Sequence, residues 1–354
     1  MLLDKKSKIL LSIERAINEI KLGLPVIIKS GNESILTISP ETANDKLLKA
    51  IAKQHQIRLT ITQNRLNFIN NNNKTTTHQT IIISPQNLKD IPQICGLEEI
   101  SQISNTDGKS ASDIENEAIE LSRIAELIPS MITFDYNNEY DTENISVITE
   151  EEIQEYKRII SLELKEACRT KLTLRHEIKS QIIAYRSNIG GKEHYAIVIG
   201  KISDAPVIRI HSSCYTGDLL DSLACDCHDQ LHTAIEFMNK EGGGIILYML
   251  QEGRGIGLIN KLRAYTMKEK GFDTVDANEA LGFNDDERLF EPAATILKKL
   301  NINQVQLLTN NPKKAKGLEE CGIKVIKCVP HIMETNKHNE SYIKTKSERL
   351  GHKI

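Results

Sequence analysis

The sequence predicts an α/β protein of two domains, each with a mixed β-sheet flanked by helices. Its 354 residues are enough for two domains with separate hydrophobic cores. Short apolar segments of strand composition alternate with segments whose apolar side chains recur at helical spacing. The charged segment 150–167 also has helical spacing and is expected to connect the two halves. We therefore expect domains at residues 1–165 and 166–354.

The first half is expected to alternate helices and strands. Ile9, Ile13 and Ile17 fall on one face of a helix that ends before Gly23. The predicted helices cover 8–22, 42–54 and 118–127, and the predicted strands cover 25–28, 57–61 and 80–84. The polar runs 70–77 and 94–112 predict a loop and an irregular segment.

The second half is expected to start with a β-hairpin, 181–186 and 194–202, around Gly190 and Gly191. Further strands are predicted at 207–211, 244–250, 304–309 and 324–329, and helices after Cys227 and at 258–270, 292–300 and 312–321. Such alternation places strands side by side with helices packed across them. The polar tail after Met333 is expected to be loosely ordered.

The composition is that of a globular protein without a strong overall charge. It is 40% hydrophobic and 26% charged, with a formal net charge of -3. The chain therefore has no overall positive charge that would attract nucleic acid or an anionic membrane. No apolar run approaches a membrane span, and the amino terminus lacks the zones of a signal peptide. Seven cysteines, an odd number, predict reduced thiols in the cytoplasm.

Three cysteines predict a metal site. Cys214, Cys225 and Cys227 lie within fourteen residues, so closing the loop between them costs little chain entropy. Three thiolates with a free fourth position are typical of catalytic zinc. The alternative is three buried thiols that act as small hydrophobes, but several aspartates flank them. His228 and His232 are rival fourth ligands, and either would close the site.

Two predicted strand-to-helix turns can bind anions. In 251–257, glycines allow a close backbone approach, Arg254 suits a phosphate, and Glu252 can accept from a guanine edge. The alternative is a plain turn in which these two residues pair. In 309–314, Pro312 begins a helix beside Lys313 and Lys314. The alternative there is a pair of solvated lysines.

A short acidic segment offers a further candidate. Asp286 and Arg288 are brought together in a turn or loop, where a carboxylate beside a guanidinium stays ionised and can orient or deprotonate water. The alternative is a solvated charge run. Tyr265 is a candidate of the same kind, with a place in the core as its alternative.

Together these segments closely resemble GTP cyclohydrolase II over residues 181–351. The match covers 184–187, 209–212, 214–227, 251–257, 261–265, 273–278, 281–283, 286–288 and 308–314. The resemblance implies hydrolysis of GTP to formate, pyrophosphate and a diaminopyrimidinone riboside monophosphate, which is the first step of riboflavin synthesis. It also implies one Zn²⁺ per subunit on the three cysteines, Mg²⁺ on the GTP phosphates, and a homodimer.

The resemblance also assigns roles to residues. Asp286 is implied to be the proton acceptor, Tyr265 to take part in ring opening, and Arg288 to attack phosphorus. Because a guanidinium is protonated at ordinary pH, we expect Arg288 to act as an electrostatic clamp on the leaving pyrophosphate. The implied GTP-binding residues are Arg209, Ile210, His211, Ser212, Ser213, Gln230, Glu252, Gly253, Arg254, Thr274, Thr309 and Lys314.

The sequence departs from the family at three places. Ser213 stands where Glu is usual, His228 stands where Gly is usual, and 171–175 is a reduced version of the family's entry segment. None of them removes a zinc ligand or Asp286, so we expect an active enzyme. A regulator that binds GTP without turnover is the alternative.

The first half resembles 3,4-dihydroxy-2-butanone 4-phosphate synthase in 15–26, 118–129 and 148–156. The acidic stretch of that family, which binds magnesium, is replaced by 29–34, and the segment with its catalytic histidine is replaced by 113–116. We therefore expect this half to be catalytically inactive and to have a scaffolding, dimerising or regulatory role. The alternative is a bifunctional enzyme that uses other residues.

Overall fold

The computed structural model describes residues 3–70, 75–101, 103, 106–136, 145–351 and 353. These residues form two seven-stranded mixed sheets flanked by helices. The predicted fold class is confirmed. Half of the loop predicted at 70–77, residues 71–74, lies outside the described residues. None of the described helices is both long enough and apolar enough to span a bilayer.

The chain divides into two compact units. The first contains the described residues up to Lys157, together with Ile259–Phe272 and Asp276–Glu287, and the second contains Arg158–Leu258, Asp273–Val275 and the described residues from Arg288 onwards. The predicted domains at 1–165 and 166–354 stay a prediction.

The described residues of the first half form six α-helices and seven strands. They are α1 (Lys5–Lys21), β1 (Val26–Ser30), β2 (Glu33–Ile38), α2 (Asp45–Ile51), β3 (Ile57–Ile61), α3 (Gln63–Ile69), β4 (Gln79–Ile83), α4 (Ile91–Cys95), β5 (Gly108–Ser110), α5 (Asp113–Ile124), β6 (Ser130–Asp135), β7 (Val147–Thr149) and α6 (Glu150–Leu162). The sheet order is β5-β4-β3-β6-β2-β1-β7. Only the β1–β7 pair is parallel among the described strand pairs of this sheet.

Local sequence explains where these helices begin. The Asp4 side chain accepts the backbone N–H of Ser7 at 2.7 Å and so caps α1. Ser112 and Glu115 form a capping box at the start of α5, so this helix begins five residues before the predicted position. Within the segment expected to be irregular, 94–112, the strand β5 pairs with β4.

The described residues of the second half form seven strands and six α-helices. They are β8 (Lys165–Thr173), β9 (Lys179–Arg186), β10 (His194–Gly200), β11 (Val207–Ser212), α7 (Cys227–Lys240), β12 (Gly243–Met249), α8 (Leu258–Glu269), α9 (Thr274–Ala280), α10 (Glu291–Lys299), β13 (Gln304–Leu308), α11 (Pro312–Glu320), β14 (Lys324–Val329) and α12 (Glu340–Glu348). The hairpin between β9 and β10 turns at Gly190 and Gly191, both with positive φ.

Two predictions for this half are wrong. The helix expected at 150–167 ends at Leu162, and the chain enters β8, an edge strand whose residues are all exposed. Because the segment of β8 is mostly polar, the pattern of apolar residues does not predict this strand. The tail after Met333, expected to be loosely ordered, forms the helix α12.

The second sheet brings three strand ends to one edge. Its order is β14-β13-β11-β12-β10-β9-β8, and β11 runs parallel to both β12 and β13. The carboxyl ends of these three strands therefore lie side by side, at Ser212, Met249 and Leu308. Ligands of open α/β sheets bind beyond such ends. The core beneath includes Ile208, Leu247 and other apolar side chains of β9 to β13, α10 and α11.

Candidate metal centre and substrate-binding edge

The three predicted cysteine ligands meet in space. Their sulfur atoms lie within 4.8 Å of one another, and the Sγ atoms of Cys214 and Cys225 are 3.8 Å apart. Two thiolates on a tetrahedral zinc ion are separated by about 3.8 Å when each Zn–S bond is about 2.3 Å. The cysteines are free thiols. This group can therefore hold one metal ion.

Gly217 leaves space for that ion because it has no side chain. A Cβ atom added there would lie 2.8 Å from Cβ of Cys227, 2.9 Å from Sγ of Cys225 and 3.1 Å from Sγ of Cys214. These distances are shorter than ordinary contacts. Gly217 lies in a single helical turn, Tyr215–Leu219, and its amide donates to Sγ of Cys214 at 3.3 Å. The turn wraps the three sulfurs without filling their centre.

The crowding of these thiols opposes ionisation unless a cation is bound. A hydrogen bond with Cys214 is the main cause that raises the pKa of Cys225 to about 11. Hydrogen bonds with Cys214 and Cys225, together with burial, raise the pKa of Cys227 well above its usual value. A divalent ion relieves this repulsion, because a coordinated thiol is deprotonated. The donor set thus fits a soft divalent metal such as zinc.

The proposed fourth ligands lie outside this group. Of the described residues, neither His228 nor His232 joins the three cysteines within 4.8 Å. Their rings lie 4.2 Å apart, and Nδ1 of His228 is 3.6 Å from a carboxylate oxygen of Asp221. The structure leaves the fourth corner of the cysteine group without a protein ligand among the described residues.

A buried carboxylate fixes the first cysteine. Asp218 accepts the amide of Cys214 at 2.9 Å and the hydroxyl of Tyr248 at 2.8 Å, and lies 3.0 Å from Nε2 of His211. Burial opposes ionisation of Asp218, but these hydrogen bonds outweigh it and lower the carboxyl pKa. His211, one of the implied GTP-binding residues, is itself buried and holds this carboxylate. Carboxylates behind a metal ligand orient it.

A second hydrogen-bond network surrounds Asp226, the residue between the other two cysteines. Asp226, between Cys225 and Cys227, accepts from Nε2 of Gln230 at 2.7 Å and from Nζ of Lys346 at 2.6 Å. Gln230 accepts in turn from Arg209, which also donates to the carbonyl of Leu308 at 3.3 Å. Burial lowers the pKa of Arg209 to about 10, so its guanidinium stays charged at neutral pH. This network therefore links two cations, Lys346 directly and Arg209 through Gln230, to the residue between Cys225 and Cys227.

The turn after β12 comes next to the cysteine loop. Glu252 accepts the amide of Tyr215, the residue after Cys214, at 2.6 Å. Gly253 and Arg254 both have φ near +61°, and such a backbone costs about 1 kcal/mol or more for a residue with a side chain. The surrounding structure holds this strained turn at the sheet edge, where the sequence predicted a phosphate-binding loop.

The turn after β13 is held by its own side chains. The Asn311 side chain accepts the amide of Lys313 at 2.9 Å and caps α11. The ammonium of Lys314 is buried and donates to the carbonyl of Ile210 at 2.7 Å. Thr309 is buried and accepts the amide of Asn311 at 3.0 Å. In this conformation both implied GTP-binding residues of the turn stabilise the sheet edge.

The remaining candidates are placed in two groups. Arg288 lies 3.4 Å from the hydroxyl of Ser212, and Ser213 donates its amide to the carbonyl of Met249 at 2.8 Å. The hydroxyl of Thr274 is buried and has no hydrogen-bond partner among the described residues. Tyr265 and Asp286, in contrast, lie in the two later segments of the first unit.

Four residues that build this edge were assigned no site role from the sequence, although aspartates were noted around the cysteines. Gly217, Asp218 and Asp226 all lie within the cysteine segment, so the 214–227 segment carried a signal for them. Lys346 lies 120 residues from its partner Asp226, and nothing local to the tail indicated this contact.

The comparisons with known proteins agree with the resemblance. The family model of GTP cyclohydrolase II matches residues 165–330. A GTP cyclohydrolase-2 of Azospirillum brasilense is 44% identical over 247 residues, which is 67% of this chain and 64% of that protein. The riboflavin biosynthesis protein RibBA of Bacillus cereus is 40% identical over 269 residues, which is 74% of this chain and 62% of that protein.

The chain thus spans a little under two thirds of the length of these relatives. Among solved structures, a two-domain 3,4-dihydroxy-2-butanone 4-phosphate synthase from A. baumannii, RibBX, aligns with 84% of this chain and 93% of its own. The TM-score is 0.31 and the sequence identity is 14%. A likeness of that size does not establish a shared fold.

Proposed function

We propose that this chain, whose residues 165–330 belong to the GTP cyclohydrolase II family, hydrolyses GTP to formate, pyrophosphate and a diaminopyrimidinone riboside monophosphate in riboflavin synthesis. The observation that carries the proposal is the group of three thiols at zinc spacing beside the Glu252 turn. Cys214, Cys225 and Cys227 would hold one zinc ion. Mg²⁺ on the GTP phosphates and a homodimer belong to the same proposal.

Zinc at these thiols would supply a water molecule with a pKa near 7 to attack the imidazole carbon of guanine. The residues of the chain orient the substrate and move its protons. Glu252 can accept from the amino and imino groups of guanine, while Arg254 donates to a phosphate. Asp286 takes the proton as the ring opens, assisted by Tyr265. Arg288, beside Ser212, stabilises the leaving pyrophosphate as a clamp.

Formate and pyrophosphate release test this proposal. We expect purified protein to contain about one zinc per chain and to release both products from GTP with Mg²⁺. Cys225→Ser should lose the zinc and at least about 99% of both releases, because one of three metal ligands is gone. Cys328→Ser, at an exposed thiol outside the group, is the matched control and should keep both.

Two other outcomes of these assays would contradict parts of the proposal. GTP binding without formate release by zinc-loaded protein would favour a nucleotide-binding regulator, for which Ser213 and His228 are the supporting departures. Equal activity of Cys225→Ser and Cys328→Ser would refute the role of the metal group.

We also propose that the first half has no synthase activity. The replaced 113–116 segment contains two acids, the exposed Asp113 and the buried Glu115, and Glu115 is engaged in structural contacts. It accepts from the amide of Ser112 at 3.0 Å and the hydroxyl of Thr80 at 2.9 Å, and lies 3.2 Å from Nε of Arg58. Given ribulose 5-phosphate and Mg²⁺, the protein should form neither formate nor a butanone phosphate. Formation of both products would establish the bifunctional alternative.

A further inference from the structure

The first unit holds more than the first half of the chain. It includes Ile259–Phe272, which carries Tyr265, and Asp276–Glu287, which carries Asp286. We propose that the first half, through the amino-terminal end of α3 and the residues around it, positions these two segments for the cyclohydrolase reaction. This inference rests on the proposed function for the roles of Tyr265 and Asp286, while the positioning itself can be measured separately.

The end of α9 rests on the start of α3. The hydroxyl of Thr62 donates to the carbonyl of Gly282 at 2.8 Å, and Nδ2 of Asn64 donates to the carbonyl of Phe283 at 2.8 Å. The Arg65 guanidinium donates to the carbonyl of Ala280. Carbonyls at the end of a helix have no partners within the helix. Side chains of the first half therefore take the place of a cap at the end of α9.

This contact needs glycine at position 282. Gly282 has φ +88°, and a Cβ atom there would lie 2.8 Å from the hydroxyl oxygen of Thr62 and 3.1 Å from Pro129. The next residue, Phe283, is 1% exposed. The backbone of the turn therefore lies directly against the first half, with no side chain between them. Asp286 follows three residues after this anchored turn.

The other side of Asp286 is anchored as well. Glu287 accepts the amide of Asn284 at 3.0 Å, and its carboxylate lies 3.7 Å from Nε of Arg123 on α5. Asp286 is thus bracketed by two points of attachment, one on each side. Since misplacing a catalytic group by about 1 Å can cost about a hundredfold in rate, such bracketing bears on catalysis and not only on folding.

Tyr265 is bracketed in the same way on α8. Nδ2 of Asn260 donates to the carbonyl of Glu126 at 2.9 Å, and Arg263 donates to Glu41 at 2.9 Å. Further along, the rings of Phe68 and Phe272 lie 5.5 Å apart. Both segments are therefore attached to the first half by side chains that belong to neither the metal group nor the GTP-binding set.

Helix α3 supplies a matched pair of variants. Asn64 and Asn67 are both half-buried and lie one turn apart, but Asn67 bonds to the backbone of Thr75 and Asn64 bonds to that of Phe283. We expect Asn64→Ala to lower kcat about tenfold with KM and zinc content nearly unchanged, because the hydrogen bond to Phe283 and a longer one, of 3.5 Å, to Asn284 are lost. Asn67→Ala should leave kcat within about twofold of the parent.

Hydrogen exchange on the same proteins supplies the second measurement. Amides of 278–287 should exchange at least about tenfold faster in Asn64→Ala than in Asn67→Ala. A conservative rescue pair checks the neighbouring contact: Thr62→Ser keeps the hydroxyl and should retain activity, whereas Thr62→Val should lower kcat. Equal exchange in the two asparagine variants would overturn the positioning. Faster exchange in a protein that makes no formate would uphold it while the proposed function fails.

Discussion

Replacing Gly217 with alanine is expected to weaken metal binding at the three cysteines severely. The added methyl carbon would lie within 3.1 Å of an atom of each cysteine side chain, where carbon and sulfur prefer at least about 3.5 Å. All three ligands must move apart, and they cannot keep the spacing that a tetrahedral ion requires. We expect zinc affinity to fall at least about a hundredfold, and formate release from GTP to fall with it.

The measurement is a competition for zinc against a chelating dye, followed by an assay of formate. Leu223→Ala is a suitable control, because it truncates an exposed side chain of the same loop and should bind zinc normally. Co²⁺ substitution adds a check that does not depend on turnover, since the thiolate charge-transfer bands should be absent in the Gly217 variant. Normal Co²⁺ spectra in Gly217→Ala would show that the cysteines still hold the ion despite the added methyl group, and would contradict this prediction.

The metal group could be predicted because its information is local. Cys214, Cys225 and Cys227 are close in sequence, so any compact fold of the segment brings them together. The sheet edge was predictable for a related reason: parallel strands that alternate with helices end at one edge. The first prediction needed only the spacing of three cysteines, and the second only the order of the elements along the chain.

The sequence predictions fail where the contacts that determine the structure join residues far apart in the sequence. Nothing in the composition of 165–173 distinguishes an exposed edge strand from the end of a charged helix. The bonds from Thr62 and Asn64 to 282–283 use ordinary polar side chains and backbone carbonyls, more than 200 residues apart, which no local pattern reveals. The tail gives no sign of forming α12, since one of its anchors is an ion pair with a residue 120 positions away.

That ion pair gives the second large prediction. Lys346 and Asp226 are 2.6 Å apart, and their side chains are 9% and 5% exposed. Nζ of Lys346 also lies 4.3 Å from the ring centre of Tyr342. Removing one partner of a buried pair leaves an uncompensated charge and costs about 3–5 kcal/mol. Because Asp226 lies between two cysteines of the proposed metal group, we expect Lys346→Met to destabilise the protein and to weaken zinc binding at least about tenfold.

The helix α12 supplies the control for this variant. Lys344 is 69% exposed and lies 3.9 Å from Glu348, a surface pair worth about 0–1 kcal/mol. Lys344→Met should therefore bind zinc like the parent protein. Thermal unfolding and zinc competition on both variants decide the matter, and equal zinc affinities would contradict the prediction.

A double variant separates the charge from the packing. Asp226→Asn removes the carboxylate that Lys346 neutralises, so combining it with Lys346→Met should restore part of the stability lost by the lysine variant alone. The hydrogen bond between residue 226 and Gln230 can survive with an amide oxygen as acceptor. Recovery in the double variant would identify the uncompensated charge as the cause. Additive losses would instead assign the effect to the packing of the lysine stem, and α12 would then stabilise the cysteine loop by contact rather than by charge.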